Sequence, residues 1–495
     1  METLHERPRH FVFVFFAFVF ISMFPLWGST YFPALDSPAH LYNAKLILAL
    51  LNNDSPLVHQ FYHFNPLVVP NWIGHALLAL FYCLFGEWWM AEKCLLVLYF
   101  IAIPLAFDHF IRSVGGNRWL SFWSLPFVFS FVFSIGFYNY SLSIVFALLF
   151  LSKSWHFFEK QFSWKENLML LSLLLLLYFS HGFTFLLTLL VWGSASLPVL
   201  WHQWKIKPSL RPKSQRLMQA FLLVLPLVIL YKWNTAYHTG SPSYLRTSHL
   251  IKDLLRWRSL IVYHEGKEER WTVLISLLTM VLLCWIFVRS KMRFVLAQQR
   301  LVVSMVLLLV MYFLLPDNTG SAGFISVRIQ GWLAMLTILL IAVSVLPIRL
   351  VWMTTVMMFI GHFALVNFHA KVVRKDSILL EQCSVAQQYI PDHSILHFED
   401  LSKDWRFQHF SNFIALQSKD VVCTENYEAS VDYFPVSFTP TAKPDAHSST
   451  CIEQKIIMKP AIMDSIYWNV LKQNLHKGNL IVFENESIVL LKTTK

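Results

Sequence analysis

Charge is scarce in this 495-residue chain: Asp, Glu, Lys and Arg together make up 14% of it. An ordinary soluble domain carries about 25%, so a fold that lives wholly in water is excluded. Cysteine is scarce as well, and six residues do not make a disulfide scaffold. Cys83, Cys94 and Cys284 lie in apolar runs, where a thiol acts as a small hydrophobe. Cys383, Cys423 and Cys451 lie in the polar C-terminal part. If that part faces an oxidising compartment, Cys423 with Cys451 is the expected pair and Cys383 stays free. The Gly-rich stretch at 316–328 lacks the GK[ST] of a phosphate loop, and no HExxH zinc motif is present. No small-residue cleavage site follows the first apolar run, which argues for an uncleaved first span rather than a removed signal peptide.

What the chain has is apolar surface: 56% of its residues are hydrophobic and 16% aromatic. Rings in that number suit contact with lipid and with the water interface. A spanning helix needs roughly 20 mainly apolar residues. Beyond the first run, "FVFVFFAFVFISMFPLW", further runs are centred near residues 79, 101, 127, 146, 174, 190, 225, 280, 308, 338 and 359. The expectation is a polytopic α-helical membrane protein with about 11–13 transmembrane helices. The net charge of +11 is carried in short loops between these runs, which is the pattern of cytoplasmic loops and not of a nucleic-acid surface.

Basic loops at 112–118, 153–167, 201–216 and 289–300 are therefore expected inside, as is the basic N-terminal leader. Alternate turns, including "GFYNYS", "YFSHGF" and "PDNTGSAGF", then face outside with the long loop 31–70. Residues 71–86 break the parity, so either they form an incomplete span or the charge rule is breached there. From residue 371 the composition turns polar, with short β-rich runs such as "HSILHF", "DVVCT", "ASVDYFPVSF", "LIVFE" and "SIVLLK". The expected division is a multi-span domain over 1–370 and a soluble α/β or mostly β domain over 371–495, outside the membrane.

The stretch "FPALDSPAHLYNAKLI" follows the first span directly. Ser37 and Pro38 read as N-cap and first helical residue, opening an amphipathic helix along the outer surface. With Ser37 as cap, the carboxylate of Asp36 is left for another role. His40, His59, His63 and His75 follow nearby; Asp36 with His40, and His59 with His63, are four apart, as on one helix face. A divalent metal ion held by Asp36 with two of His40, His59 and His63 is chemically reasonable; ordinary interfacial histidines are the alternative. In "PDNTGSAGFISVR", backbone N–H groups and Arg328 could meet a phosphate, or the arginine could snorkel to the headgroups. Asn139, His181 and Lys232 lie at other outward ends of apolar runs. Polar groups at such depths are expensive unless they line a cavity, so one outward-opening cavity is expected.

An acidic residue just past the first span, a long outer loop, many spans and a C-terminal outer domain together resemble the GT-C superfamily of membrane glycosyltransferases. The pieces that carry the resemblance are "DSPAHLYNAKL", "PNWIGHALLALF", "GFYNYSLS", "YFSHGFTF", the P…G…R of 316–328 and "FPVSF". The chain departs from the best-known members in having one acidic residue there, not a close pair. The resemblance implies a bacterial inner-membrane enzyme whose donor is a sugar on a polyprenyl phosphate and whose acceptor is a glycan, lipid or protein. It implies Asp36 as general base, Arg328 and Lys232 at the phosphate, and His40, His59, His63, Asn139 and His181 at the substrates. Two other classes stay open: a transporter or flippase, and a non-catalytic component of envelope polysaccharide assembly. No internal repeat and few midspan charges speak for a transporter.

Overall fold

A computed structural model of the chain describes residues 8–206, 228, 241–291, 293–320, 322–402, 404–440, 452–459 and 479–493. Lys232, Cys451 with its expected pairing, and nearly all of the apolar run near 225 lie outside these residues. The chain forms two compact units. A helical unit comprises Met1–Trp27, Val97–Ser134 and Tyr140–Ala370, and a mixed unit comprises Gly28–Leu96, Ile135–Asn139 and Lys371–Lys495.

Among the described residues, six helices are long and apolar enough to cross a membrane: Trp88–Ser113, Gly182–Trp204, Glu265–Ser290, Leu296–Leu314, Ile325–Ala342 and Ile348–Tyr389. The protein is thus the helical membrane protein that its composition requires. Several charged groups of the helical unit have close partners. Asp108 meets Arg112 one turn on, and also takes two hydrogen bonds from Arg118 at 2.9 and 3.2 Å. Arg300 bonds Glu159 at 2.7 Å and lies 3.6 Å over the Trp155 ring. The Glu268 carboxylate accepts the backbone N–H groups of Val262, Tyr263 and His264 ahead of its own helix, and meets His369 at 2.6 Å.

Among the described residues, fewer helices reach spanning length than the 11–13 expected, and the run near residue 127 forms no long helix at all. That run is a 3₁₀ turn, Arg118–Ser124, followed by two single-turn helices, Leu125–Val128 and Phe131–Ser134. Pro126 supplies no N–H to a continuing ladder. Ser124 and Ser134 turn their hydroxyls onto the carbonyls of Ser121 and Phe131, at 2.6 and 2.8 Å, which offers the backbone an alternative to a long helix. The 71–86 run is a helix, Trp72–Phe85, of 14 residues between left-handed Asn71 and Gly86. At 1.5 Å per residue it is roughly 21 Å long, short of the ~30 Å hydrocarbon thickness.

The mixed unit contains a five-stranded sheet in the order β3-β2-β5-β7-β6. Here β2 is Ser394–Asp400, β3 Val421–Cys423, β5 Ile452–Met458, β6 Asn479–Glu484 and β7 Ile488–Thr493. β2 runs parallel to β3 and β5, while β7 is antiparallel to β5 and β6. Ile457, Val489 and Leu491 form its buried core, with Leu401 and Ile481 against them. The C-terminal region thus contains a sheet, as its β-rich runs predict.

The region after 371 is built together with the loop 31–70. β1, Tyr62–Phe64, pairs antiparallel with β4, Val436–Phe438, so that "FPVSF" closes on the loop 31–70. Tyr62 stacks on Phe438 with ring centres 4.9 Å apart. On the helix Ser37–Leu51, the Tyr42 hydroxyl donates to the Val421 carbonyl at 2.7 Å and accepts from the Cys423 N–H at 3.0 Å. Asn43 and Asn426 exchange two amide hydrogen bonds, at 2.9 and 3.0 Å. Asp420 caps the helix Pro56–Phe61 through the N–H groups of Leu57 and Val58. The bonds of Tyr42 and Asn43 anchor the Ser37–Leu51 helix, at whose first turn the site begins.

Candidate functional site

The helix Ser37–Leu51 starts one residue earlier than its Ser-Pro pair predicts. Asp36 is the cap position, with φ −89° and ψ −11°, and its side chain makes no cap bond. Ser37 does not cap either: its hydroxyl donates to the buried carboxylate of Glu92, which also accepts the Tyr138 hydroxyl at 2.5 Å. The buried Glu92 side chain takes the Ser37 hydroxyl away from the cap. The Asp36 backbone is pinned instead, its N–H donating to Ile135 and its carbonyl accepting from His40, both at 3.0 Å.

The Asp36 carboxylate is buried. The Tyr427 hydroxyl bonds it, and His409 Nε2 lies 3.6 Å from its Oδ1. His409 and Tyr427 stack with ring centres 4.3 Å apart. Burial pushes His409 down to about 4; the pull of Glu428 upward is too small to offset it, and His40 adds to the fall. His409 is therefore a neutral ring at pH 7. Burial, then the charges of Asp36 and Glu428, push the Tyr427 phenol far above its usual range, so it stays a donor.

One turn beyond Asp36, His40 enters a second buried cluster. Its Nδ1 is 2.5 Å from Glu428 Oε1 and 3.3 Å from His75 Nε2, and His75 Nε2 is 2.8 Å from Glu428 Oε2. Burial alone would lift the Glu428 carboxyl, but the neighbouring His75 and His40 charges hold it down at about 2. For His40 burial is the largest influence and works downward, but the Glu428 charge and hydrogen bond, the Asp36 charge and the Gly136 backbone together outweigh it, so the ring is raised above its ordinary value. His75 is oriented through its other nitrogen, Nδ1, 2.8 Å from the Asn71 carbonyl. Asn139 accepts the Gly74 N–H at 2.7 Å, at the start of the helix that carries His75.

The expected site residues thus divide. Asp36, His40 and Asn139 converge within the mixed unit. His59 and His63 are in that unit but on different elements: His59, on the helix Pro56–Phe61, faces the Asn52 carbonyl at 2.9 Å, and His63 is on β1 opposite Ser437. The shared helix face expected of this pair does not exist, because the helix ends at Phe61. His181 and Arg328 meet in the helical unit, Arg328 Nη1 lying 3.2 Å from His181 Nε2 and the guanidinium 5.3 Å over the Tyr140 ring. The loop before Arg328 uses several N–H groups internally: Gly320 bonds Asn318, Ala322 bonds Thr319 and Ser326 bonds Asp317. Those N–H groups are not presented to a phosphate.

Sequence reasoning missed Glu428, Tyr427, His409 and Glu92 and left His75 without a role. A cavity in the mixed unit is lined by Ser37, Pro38 and Glu92 together with Trp88, Trp89 and Phe410. Ring faces beside a carboxylate suit a polar acceptor with an apolar or sugar face.

No family model and no curated protein matches the sequence. Among solved structures, the chain is similar to ArnT from Cupriavidus metallidurans in the apo state, at 13% identity and a TM-score of 0.50, over 97% of each chain. It is likewise similar to ArnT from the same organism bound to undecaprenyl phosphate, at 11% identity and a TM-score of 0.50, over 98% of each chain. At such identity the likeness is one of fold: the chain has an ArnT-like fold.

Proposed function

We propose that this protein is an integral-membrane glycosyltransferase that moves a sugar from a polyprenyl-phosphate donor to an acceptor hydroxyl on the extracytoplasmic face of a bacterial inner membrane. The observation that carries the reading is the end-to-end likeness in fold to ArnT, one structure of which is bound to undecaprenyl phosphate. In the proposed reaction, Asp36 takes the proton of an acceptor hydroxyl as its oxygen bonds the anomeric carbon. The bond from that carbon to the phosphate oxygen breaks, and polyprenyl phosphate leaves with the electron pair. A positioned base contributes typically about 10²–10⁴-fold. The buried surroundings of Asp36, with Tyr427 donating to it, support that role by fixing the carboxylate. Arg328 is the group proposed to bind the donor phosphate, since its planar fork suits phosphate oxygens.

A second base is favoured by one observation: Glu92 lines the cavity of the mixed unit, and Asp36 is not among its lining residues. The test is transfer from a radiolabelled polyprenyl-phosphate sugar in membranes containing the full chain. Asp36→Asn is expected to lower the rate by about 10²–10⁴-fold, with Glu92→Gln affecting it less. Loss in Glu92→Gln with near-normal transfer in Asp36→Asn would overturn the assignment of the base. Substrate counterflow in vesicles that lack lipid-linked sugar would overturn the transferase reading in favour of a transporter.

A further inference from the structure

The buried cluster one turn from Asp36 has the geometry of a coordination site. His40 Nδ1 and His75 Nε2 are 3.3 Å apart. With metal–nitrogen bonds of about 2.0–2.1 Å, two ligands on a tetrahedral metal are separated by roughly 3.3–3.4 Å, and two at a right angle on an octahedral one by roughly 2.9 Å. The observed separation fits the tetrahedral edge.

The ring orientations agree. His75 Nδ1 faces the Asn71 carbonyl at 2.8 Å, so the N–H belongs there and the Nε2 lone pair points into the cluster. A backbone carbonyl fixing the tautomer in this way is the usual support of a metal-bound imidazole. Asn139 Nδ2 is farther from the same nitrogen, at 3.3 Å, and the shorter contact decides the tautomer. The His40 ring is held in turn by the backbone of Gly136.

Glu428 supplies the third ligand. The residue is fully buried, and its Oε1 lies 2.5 Å from His40 Nδ1 in a geometry too poor for a full hydrogen bond. A buried carboxylate oxygen in that condition is costly. A cation shared with the two rings would satisfy it, at the expense of a shift of several tenths of an ångström outward to a bonding edge. All three donors lie within 4.8 Å of one another.

We propose that His40, His75 and Glu428 bind one divalent transition-metal ion of the zinc class, tetrahedrally, with a non-protein fourth ligand. Two imidazoles and one carboxylate suit zinc and its neighbours, whereas calcium and magnesium call for all-oxygen sites. The metal joins the helix Ser37–Leu51, the helix Trp72–Phe85 and the turn Glu428–Ser430. Its ligands are 35 and 353 residues apart along the chain, so it closes long loops that the unbound chain would have to order unaided. Because the Asp36 carbonyl accepts the His40 N–H, the bound ion also fixes the turn that carries Asp36. The inference stands on these side chains and not on the transferase reading, and its test reads no sugar transfer.

The full chain is purified in detergent, stripped with a chelator and titrated with Co²⁺ and then Zn²⁺. The expected result is one Co²⁺ per chain with the intense visible bands of a tetrahedral ion, displaced by Zn²⁺, and a higher thermal midpoint with metal. Glu428→Gln keeps the side-chain shape and should weaken binding by at least about 100-fold, since even outer-shell changes cost 10–100-fold. His59→Ala and His63→Ala should still bind one ion. Failure of the stripped wild-type chain to bind Co²⁺ would mean that the cluster is a protonated histidine clamp on Glu428, which overturns the proposal. So would an unchanged Co²⁺ spectrum in Glu428→Gln, or loss of the bound ion in His59→Ala or His63→Ala.

Discussion

A Cβ added to Gly136 would lie 2.8 Å from the backbone nitrogen of Ser37 and 3.0 Å from that of Asp36. The glycine has φ +96° and is pressed onto the peptide that opens the helix Ser37–Leu51. Gly136→Ala therefore brings left-handed strain and a backbone clash together. It should destabilise the protein by about 1–3 kcal/mol and lower sugar transfer beyond what the loss of folded protein explains. Thermal unfolding in detergent and transfer per folded molecule check the two parts.

Tyr42→Phe tests the link between the loop 31–70 and the sheet. The hydroxyl serves two backbone groups, the Val421 carbonyl and the Cys423 N–H. Removing it leaves both buried groups without that partner, at a cost of about 1–3 kcal/mol. Transfer by the variant, measured well below its unfolding temperature, should be near normal. A variant as stable as the wild type would show that water or a shifted strand replaces the hydroxyl.

Arg328→Lys keeps the charge and loses the fork. Arg328 contacts His181 through Nη1 and lies over the Tyr140 ring, and a single ammonium lacks the planar fork that makes both contacts at once. If Arg328 binds the donor phosphate, the KM for the polyprenyl-phosphate sugar should rise by about 10–100-fold, the equivalent of roughly 1.4–2.7 kcal/mol. A change confined to kcat would argue that Arg328 acts elsewhere.

Most of the architecture was legible because it is written in local pattern. Apolar length marked helices such as Leu296–Leu314 and Ile325–Ala342, and β-rich runs marked β2, β3, β6 and β7. Length alone misled near residue 127, where Pro126 and hydroxyl-to-carbonyl bonds break the helix. The cap at Ser37 was misread for a different reason, since its competitor, Glu92, is 55 residues away. The His40–His75–Glu428 cluster left no spacing signature: its members meet only because β1 pairs with β4 and the Tyr42 and Asn43 bonds bring the C-terminal region onto the loop. The one available signal was a histidine, His75, inside an apolar run, where an ionisable group needs a partner.

His409 gives the site a pH dependence whose sign is fixed. Its folded-state value, about 4, lies below the ordinary 6.5. Below pH 6.5 the unfolded chain therefore takes up a proton that the folded protein refuses, so stability falls between about pH 6.5 and 4. The full span corresponds to about 3 kcal/mol. Glu428, held down at about 2 from 4.5, adds its own loss only below pH 4.5, and His40, whose ring is raised, works in the opposite sense above 6.5. In chelator-treated protein, His409→Phe keeps a ring on Tyr427 and removes the titration. The drop in thermal midpoint from pH 7 to pH 5 should then be clearly smaller than in the wild type. An equal drop in both proteins would assign the acid limb to other groups and leave His409 as packing alone.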